Sequence, residues 1–343
     1  MTLTRNDRRI TIDDVAREAD VSAASVSRVI SGKGYVSEDV RRRVTEALVR
    51  TGYVVNRQAR GLAGGRSQVV GLVVRDLDTN YIGEIVRGID EELASAQYDL
   101  MLYTTHRRKH RESAFVATIT SGFADGLLLV LPTDPEAYID SIGRRGFPYV
   151  LIDDGGLNDP GPSVGATNEQ GGYDATSYLL DLGHTRIGLV TGFLQMGCAT
   201  DRVAGYRRAH AEGGIPIDET LIRIGDFHQP LGYERARELL ALEDRPTAIF
   251  ASNDESAFGV MEAVRDCGLR IGADISVVGF DDILTASMVH PKLTTVRQPL
   301  KEMGRRATQM LLARIENPTL PPERIDLPTE LVIRQSCTGR AGP

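Results

Sequence analysis

No stretch of this 343-residue chain approaches the ~20 consecutive apolar residues that a membrane-spanning helix needs, so nothing in the sequence points to a membrane partner. Cysteine is equally scarce. Cys198, Cys267 and Cys337 stand far apart, with neither disulfide nor metal-ligand spacing, which excludes a disulfide framework and fits a reducing cytoplasm. The arginines near the start, Arg5, Arg8 and Arg9, lead into an amphipathic pattern rather than an apolar core, so no secretion signal is expected. GLAGGRS lacks the lysine of a phosphate-binding loop. His184 and His290 have no second metal-type residue at useful spacing and read as structural, so no metal and no cofactor is expected. After LVIRQSC there is no heptad segment of the kind a tetramerising helix would need.

What is present is ordinary for a soluble globular chain of two or three domains: 41% hydrophobic and 25% charged residues. The net charge of −7 conceals an asymmetry. Residues 1–66 hold 13 Lys and Arg against 8 Asp and Glu, whereas the remainder holds 27 against 39. A basic amino-terminal segment on an acidic body is expected when only one part meets a polyanion.

That basic segment contains TIDDVAREADVSAASVSRVIS, residues 11–31. Ile12, Val15, Ala16 and Ala19 recur at helical spacing, Thr11 stands before them as an N-cap, and Asp13 and Asp14 suit the positive end of the helix dipole. The pattern breaks at Ala19-Asp20-Val21, and Ser22 caps a second helix with Val26, Val29 and Ile30 on its apolar side. Two short helices joined by about three residues have helix-turn-helix geometry, in which the second helix enters the DNA major groove. Its outer side carries Ser22, Ala23, Ala24, Ser25, Ser27 and Arg28, groups suited to close approach to phosphates and base edges. Ser37 then caps a third helix with Val40, Val44, Ala47 and Leu48 as its stripe and Gly52 as its stop. NRQARGLAGG, residues 56–65, reads on composition as a linker.

From Val69 onward, apolar runs of strand length alternate with helical segments: VVGLVV, DLMLY, GLLLVL, YVLI, IGLVT, LIRIG, AIFAS and SVVGF. Such alternation predicts parallel sheets covered by helices on both faces, too many strands for one small sheet, and hence two doubly wound subdomains. Ligands bind at the carboxyl ends of such strands. There the sequence places Asp153-Asp154, Asn253-Asp254 and Asp281-Asp282, with Asp226-Phe227 beyond LIRIG and a long loop to Asp201-Arg202 beyond IGLVT. Carboxylates, an amide, a guanidinium and an aromatic face suit a small polyhydroxylated or heterocyclic ligand. Asp154, Asp254 and Asp282 read equally well as helix caps. The basic run Arg107 to Arg111 is a solvated loop and helix start.

TIDDVAREADVSAASVSRVIS, YVSEDVRRRV and GYVVNRQARGLA, followed by GLRIGADISVVGFDD and HPKLTTVRQP, resemble in order and spacing the lactose-repressor/galactose-repressor family of bacterial transcription regulators. The resemblance implies a small all-α helix-turn-helix headpiece (1–55), a hinge helix (56–66) and an α/β body like a periplasmic binding protein (67–337). The body would divide into an N-subdomain of about 67–165 and 298–327 and a C-subdomain of about 166–297 and 328–337. It further implies a homodimer on double-stranded, pseudo-palindromic operator DNA, controlled by a small effector. By position, Ser22, Ser27, Tyr53 and Asn56 match phosphate or groove-positioning residues, and Ala23, Ala24 and Arg28 match positions that face bases. Leu62 matches a minor-groove wedge, and Thr11, Ser25 and Ala59 complete the implied DNA-contacting set. Asp153, Arg202, Asn253 and Asp281 match effector contacts, Phe227 a packing aromatic.

The chain departs from the family pattern at several points. Asp20 replaces a usual glycine in the turn, which aspartate tolerates at positive φ. DTNYIGE lacks the common Asn-Pro and puts Tyr81 and Ile82 near the ligand, and Cys198 stands where a small hydroxyl residue is frequent. The expectation is a non-enzymatic, effector-responsive repressor of a carbohydrate-utilisation operon. A nucleobase or nucleoside corepressor, or an activator role, is the alternative. A solute-binding protein would require a secretion signal and no headpiece. A glycoside-processing enzyme would use Asp153 with Asp281 as paired carboxylates.

Overall fold

The computed structural model describes residues 10–31, 34–53, 66–77, 80–105, 109–132, 136–153 and 161–340. The chain divides into two compact units, Met1–Gly65 and Arg66–Pro343.

In the first unit, α1 (Ile12–Ala19) opens on a capping box. Thr11 Oγ1 accepts from the Asp14 amide, while the Asp14 carboxylate accepts from Thr11 N at 2.9 Å. Asp20 ends the helix in the left-handed region at φ 50° and ψ 53°, so the turn is made where glycine is the usual choice. Arg43 pins that turn from the third helix, its Nη1 donating to the carbonyls of Ala19 and Asp20 at 3.3 Å each. Ser22 Oγ accepts from Ser25 N at 3.1 Å and so starts α2 (Ala23–Ser31). The third helix, α3 (Glu38–Thr51), is capped by Ser37 and stopped by Gly52 at φ 64°. Val15, Ala16, Ala19, Val26, Val44 and Ala47 form the buried centre of the three helices.

The second unit holds two six-stranded sheets. The first is built from β1 (Val69–Val74), β2 (Asp99–Thr104), β3 (Gly126–Val130), β4 (Tyr149–Ile152), β5 (Ser163–Ala166) and β11 (Arg324–Leu327), in the order β11-β5-β4-β3-β1-β2 with every pair parallel. The second is built from β6 (Ile187–Val190), β7 (Ile222–Arg223), β8 (Ala248–Ala251), β9 (Ser276–Asp281), β10 (Thr294–Arg297) and β12 (Glu330–Val332), in the order β12-β10-β9-β8-β6-β7. Only the β10–β12 pair there is antiparallel. The central strands are buried along their whole length, the consequence of helices on both faces. The helices are α4 (Asn80–Ser95), α5 (Lys109–Thr118), α6 (Glu136–Arg144), α7 (Asn168–Asp181), α8 (Gly197–Glu212), α9 (Gln229–Leu240), α10 (Asp254–Asp266) and α11 (Leu300–Glu316).

The chain passes between the sheets after β5, after β10 and between β11 and β12. The first and last of these crossings are tied together: Thr167 N donates to Leu327 O, and Thr329 N donates to Thr167 Oγ1, both at 3.0 Å. Helices α7 and α8 touch backbone to backbone. A Cβ on Gly205 would lie 2.1 Å from Glu169 O, and one on Gly172 would lie 2.5 Å from Arg202 O. Only glycine permits this approach, and it sets the height of Arg202 on α8. Among the described residues, no helix is long and apolar enough to cross a membrane.

Candidate functional site

Ser22, just before α2, and Ala24, Ser27 and Arg28 on it are exposed, and Ser25 is half-buried. The Arg28 stem lies over Gly34, whose added Cβ would stand 3.6 Å from Arg28 Cδ. Ala23 is half-buried, its methyl packing partly against the headpiece core, as does the Tyr53 ring, because Ala23 lies one helical turn from buried Val26. The most exposed of the row are therefore Ser22, Ala24, Ser27 and Arg28, with Ala23 and Ser25 half-buried beside them. Thr11 is exposed, but its side chain is engaged in the capping box. Asn56, Ala59 and Leu62 lie outside the described residues.

In the second unit a cleft is lined from both sheets by Arg75, Asp76, Tyr81, Ile82, Leu131, Asp153, Met196, Cys198, Arg202, Asp226, Phe227, His228, Asn253 and Asp281. It brings together all six residues expected at the ligand: Tyr81, Asp153, Arg202, Phe227, Asn253 and Asp281. Arg75, Asp76 and Leu131 were missed, although they follow β1 and β3 and the same strand-end rule reaches them.

Arg202 is placed otherwise than the sequence suggested. It lies inside α8, which begins five residues earlier at Gly197, and Met196 before it offers no side-chain cap. The guanidinium is buried. Its Nε donates to Asn168 Oδ1 at 2.9 Å, its Nη1 donates to Ser252 O, and Nη1 stands 3.7 Å from Asp281 Oδ1. Its central carbon is 3.8 Å from the Phe280 ring centroid and 5.7 Å from that of Phe227. Asp153 accepts from Tyr81 Oη at 2.7 Å and from Asn168 Nδ2 at 3.2 Å. Asp281 accepts from Gln298 Nε2 at 2.8 Å. Burial pushes the Asp281 carboxyl up to about 7 against the opposing pull of Arg202. Burial likewise raises the Tyr81 phenol and the Cys198 thiol, keeping both neutral at physiological pH.

The backbone at these strand ends is unusual. Leu131, Asp153, Phe227 and Asp281 have φ of 48°, 54°, 69° and 112°. Left-handed conformations at non-glycine residues cost on the order of 1–3 kcal/mol each and gather at binding sites. Each turns a side chain at its strand end toward the cleft. Phe227 seats its ring on Gly192, where a Cβ would fall 1.9 Å from the ring.

Asn253 is the N-cap of α10, its Oδ1 accepting from Ser256 N at 3.0 Å while its Nδ2 donates to Phe227 O at 2.9 Å. The neighbouring acids do not cap. Asp254 is fully buried and accepts from Ile283 N and Thr295 Oγ1, with burial and then Asp281 raising its carboxyl well above the ordinary value. Asp282 pairs with Arg297 and Arg334. Asp154 lies outside the described residues. His184 is held by Thr247, Ser276 and the Thr338 carbonyl, and among the described residues no group of three or more His, Cys, Asp or Glu is arranged so that it could hold a metal ion.

Residues 11–56 match the model of bacterial regulatory proteins, lacI family, and residues 176–337 match the periplasmic binding protein-like domain. Catabolite control protein A of Priestia megaterium is 33% identical over 95% of this chain and 99% of its own length. The HTH-type transcriptional repressor PurR of Proteus mirabilis is 34% identical over 95% of this chain and 96% of its own. Among solved structures, the lac repressor dimer bound to operator and the anti-inducer ONPF superposes with a TM-score of 0.85. It is 29% identical, with 96% of this chain and 100% of that one covered. The CelR–cellobiose complex gives a TM-score of 0.73 at 32% identity, over 96% and 100%. These relatives are transcription regulators. With a helix-turn-helix headpiece and a two-sheet ligand-binding body, the chain belongs to the lacI family of DNA-binding, ligand-responsive transcription regulators.

Proposed function

We propose that the cleft takes a small, uncharged, polyhydroxylated effector whose occupancy changes the affinity of α2 for operator DNA. The observation that carries this reading is the convergence of Asp153, Arg202, Asn253 and Asp281 beside the Phe227 ring. Buried carboxylates and an amide suit hydroxyl groups, and an aromatic face suits the apolar face of a sugar ring. Arg202 is occupied by Asn168, Ser252 and Asp281, so its charge is compensated within the protein and serves to hold polar groups in place. No catalytic part is assigned to the Asp153 and Asp281 carboxylates: their partners orient them as acceptors. In the cytoplasm, a dimer would present two α2 helices to a two-fold operator, with Arg28 reading guanine in each half-site. A good bidentate contact discriminates by roughly 1–3 kcal/mol. An effector acts only through its different affinity for two states of the protein.

The test is a thermal-shift screen of sugars, polyols and nucleobases on the full chain, followed by binding to operator duplex selected from a random pool. A stabilising sugar or polyol that changes operator affinity supports the reading. Stabilisation by nucleobases alone replaces the sugar with a heterocycle, and no change in operator affinity with any stabilising compound contradicts effector control.

A further inference from the structure

Tyr81 stands in the stretch DTNYIGE, which lacks the common Asn-Pro, and it does more than line the cleft. It sits in the first turn of α4 on the first sheet's side, with its ring packed into that sheet's apolar core and only 8% exposed. Its hydroxyl donates to Asp153 at 2.7 Å and lies within electrostatic reach of Asp281 and Cys198, on the second sheet's side. The phenol therefore stands on the first sheet's side of the cleft and takes up one acceptor site of Asp153, orienting the carboxylate while leaving further lone pairs to a ligand hydroxyl. Asn168 donates to the other oxygen at 3.2 Å. Ile82 and Leu131 narrow the same side, with Met196 and Phe227 opposite.

The remaining room is small. The cleft encloses about 550 Å³ including its open mouth, but the centre of a water molecule fits in only about 60 Å³ of it. At the ~10–15 Å³ that one water centre requires, this is space for about five waters. That matches one sugar ring rather than two.

We propose that Tyr81 is a size-limiting, specificity-determining residue that restricts the cleft to single-ring ligands. The proposal rests on the sugar-effector reading above. Its bulk sets the limit, and its hydroxyl keeps Asp153 oriented.

The test is calorimetric titration of the full-length protein with glucose, galactose, ribose, cellobiose and lactose, repeated on Tyr81→Phe, Tyr81→Leu and Tyr81→Ala. Wild type should bind at least one single-ring sugar and bind the disaccharides at least ~tenfold more weakly. Tyr81→Ala should erase that ratio by admitting a second ring, and Tyr81→Leu should reduce it should the alanine variant fold poorly. Tyr81→Phe should keep the ratio, because the ring remains. A wild-type protein that binds a disaccharide as tightly as its component sugar overturns the size limit and leaves the effector reading intact. An unchanged ratio in both Tyr81→Ala and Tyr81→Leu does the same. Binding of none of the five sugars by any of these proteins overturns the sugar reading and the size limit together.

Discussion

Asp153 and Arg202 approach the cleft from opposite sheets and are joined through one buried amide. Asn168 donates to Asp153 Oδ1 at 3.2 Å and accepts from Arg202 Nε at 2.9 Å. It is the first residue of α7, immediately after the crossing at Thr167. The acid and the guanidinium at the cleft are thus held in register by a side chain at the point where the two halves join.

Asn168→Leu has the right volume and neither hydrogen bond. It leaves a buried acid and a buried guanidinium each short of one partner, at a cost of about 1–3 kcal/mol apiece. A fall in melting temperature together with weaker ligand binding is expected. Calorimetric unfolding and titration check both, and wild-type values for both would show the bridge to be idle.

Gly192→Ala tests the seat of Phe227. The added methyl cannot share space with the ring 1.9 Å away, so Phe227 must leave the cleft wall. Ligand affinity should drop about tenfold or more, the range for losing one apolar contact surface. Operator binding without ligand should stay near wild type. Unchanged titration of the ligand would place the aromatic contact elsewhere.

The Asp281 carboxyl, held up to about 7 by burial, makes stability depend on pH in a definite direction. Its unfolded value is ~4. Between those limits the folded state holds more protons than the unfolded state, so this group's contribution to stability falls as pH rises through that window. His184 and His210, lowered by burial, act in the opposite sense, losing stability as pH falls below about 6.5. Asp281→Asn leaves the histidines in place, so the difference between the two proteins reports Asp281 together with its influence on the neighbouring Asp254 carboxyl. Urea midpoints at pH 5 and pH 8 should show a more favourable change toward high pH in the variant. Parallel changes would mean that Asp281 titrates normally.

Arg28→Ala should abolish preference for selected operator over random duplex while leaving ligand titration unaltered. Competition binding at fixed salt reads the ratio, since phosphate contacts alone give strongly salt-dependent affinity. Retained preference would move base reading to other residues.

Much of this was legible where one residue carries one local rule. Thr11, Ser22, Ser37 and Gly52 are cap chemistry, and the headpiece follows from them with Val15, Val26 and Val44. The strand ends at Asp153, Asn253 and Asp281 were legible because buried parallel strands are continuous apolar runs. Less so was the start of α8: Met196-Gly197 carries no cap signal, and the helix consequently read as starting near Arg202, five residues late. β5, SVGA, is short and built of small residues, while β11, RIDL, and β12, ELV, are short edge strands without the continuous apolar run that marks the buried ones. Asp254 illustrates a different limit. An acid next to a helix start reads as a cap, yet Asn253 takes that place and Asp254 is drawn inward by Thr295 and Ile283, partners 41 and 29 residues away. Positive φ at Asp153 and Phe227 likewise comes from tertiary packing, which no local pattern encodes.

The most direct test combines the two ends of the molecule. Fluorescence anisotropy of labelled operator would be measured for wild type and Arg202→Ala, with and without a compound that thermally stabilises the wild type. The account predicts a ligand-dependent shift in operator affinity for wild type, none for Arg202→Ala, and equal ligand-free affinities. A wild-type shift in Arg202→Ala would contradict the cleft as the control site.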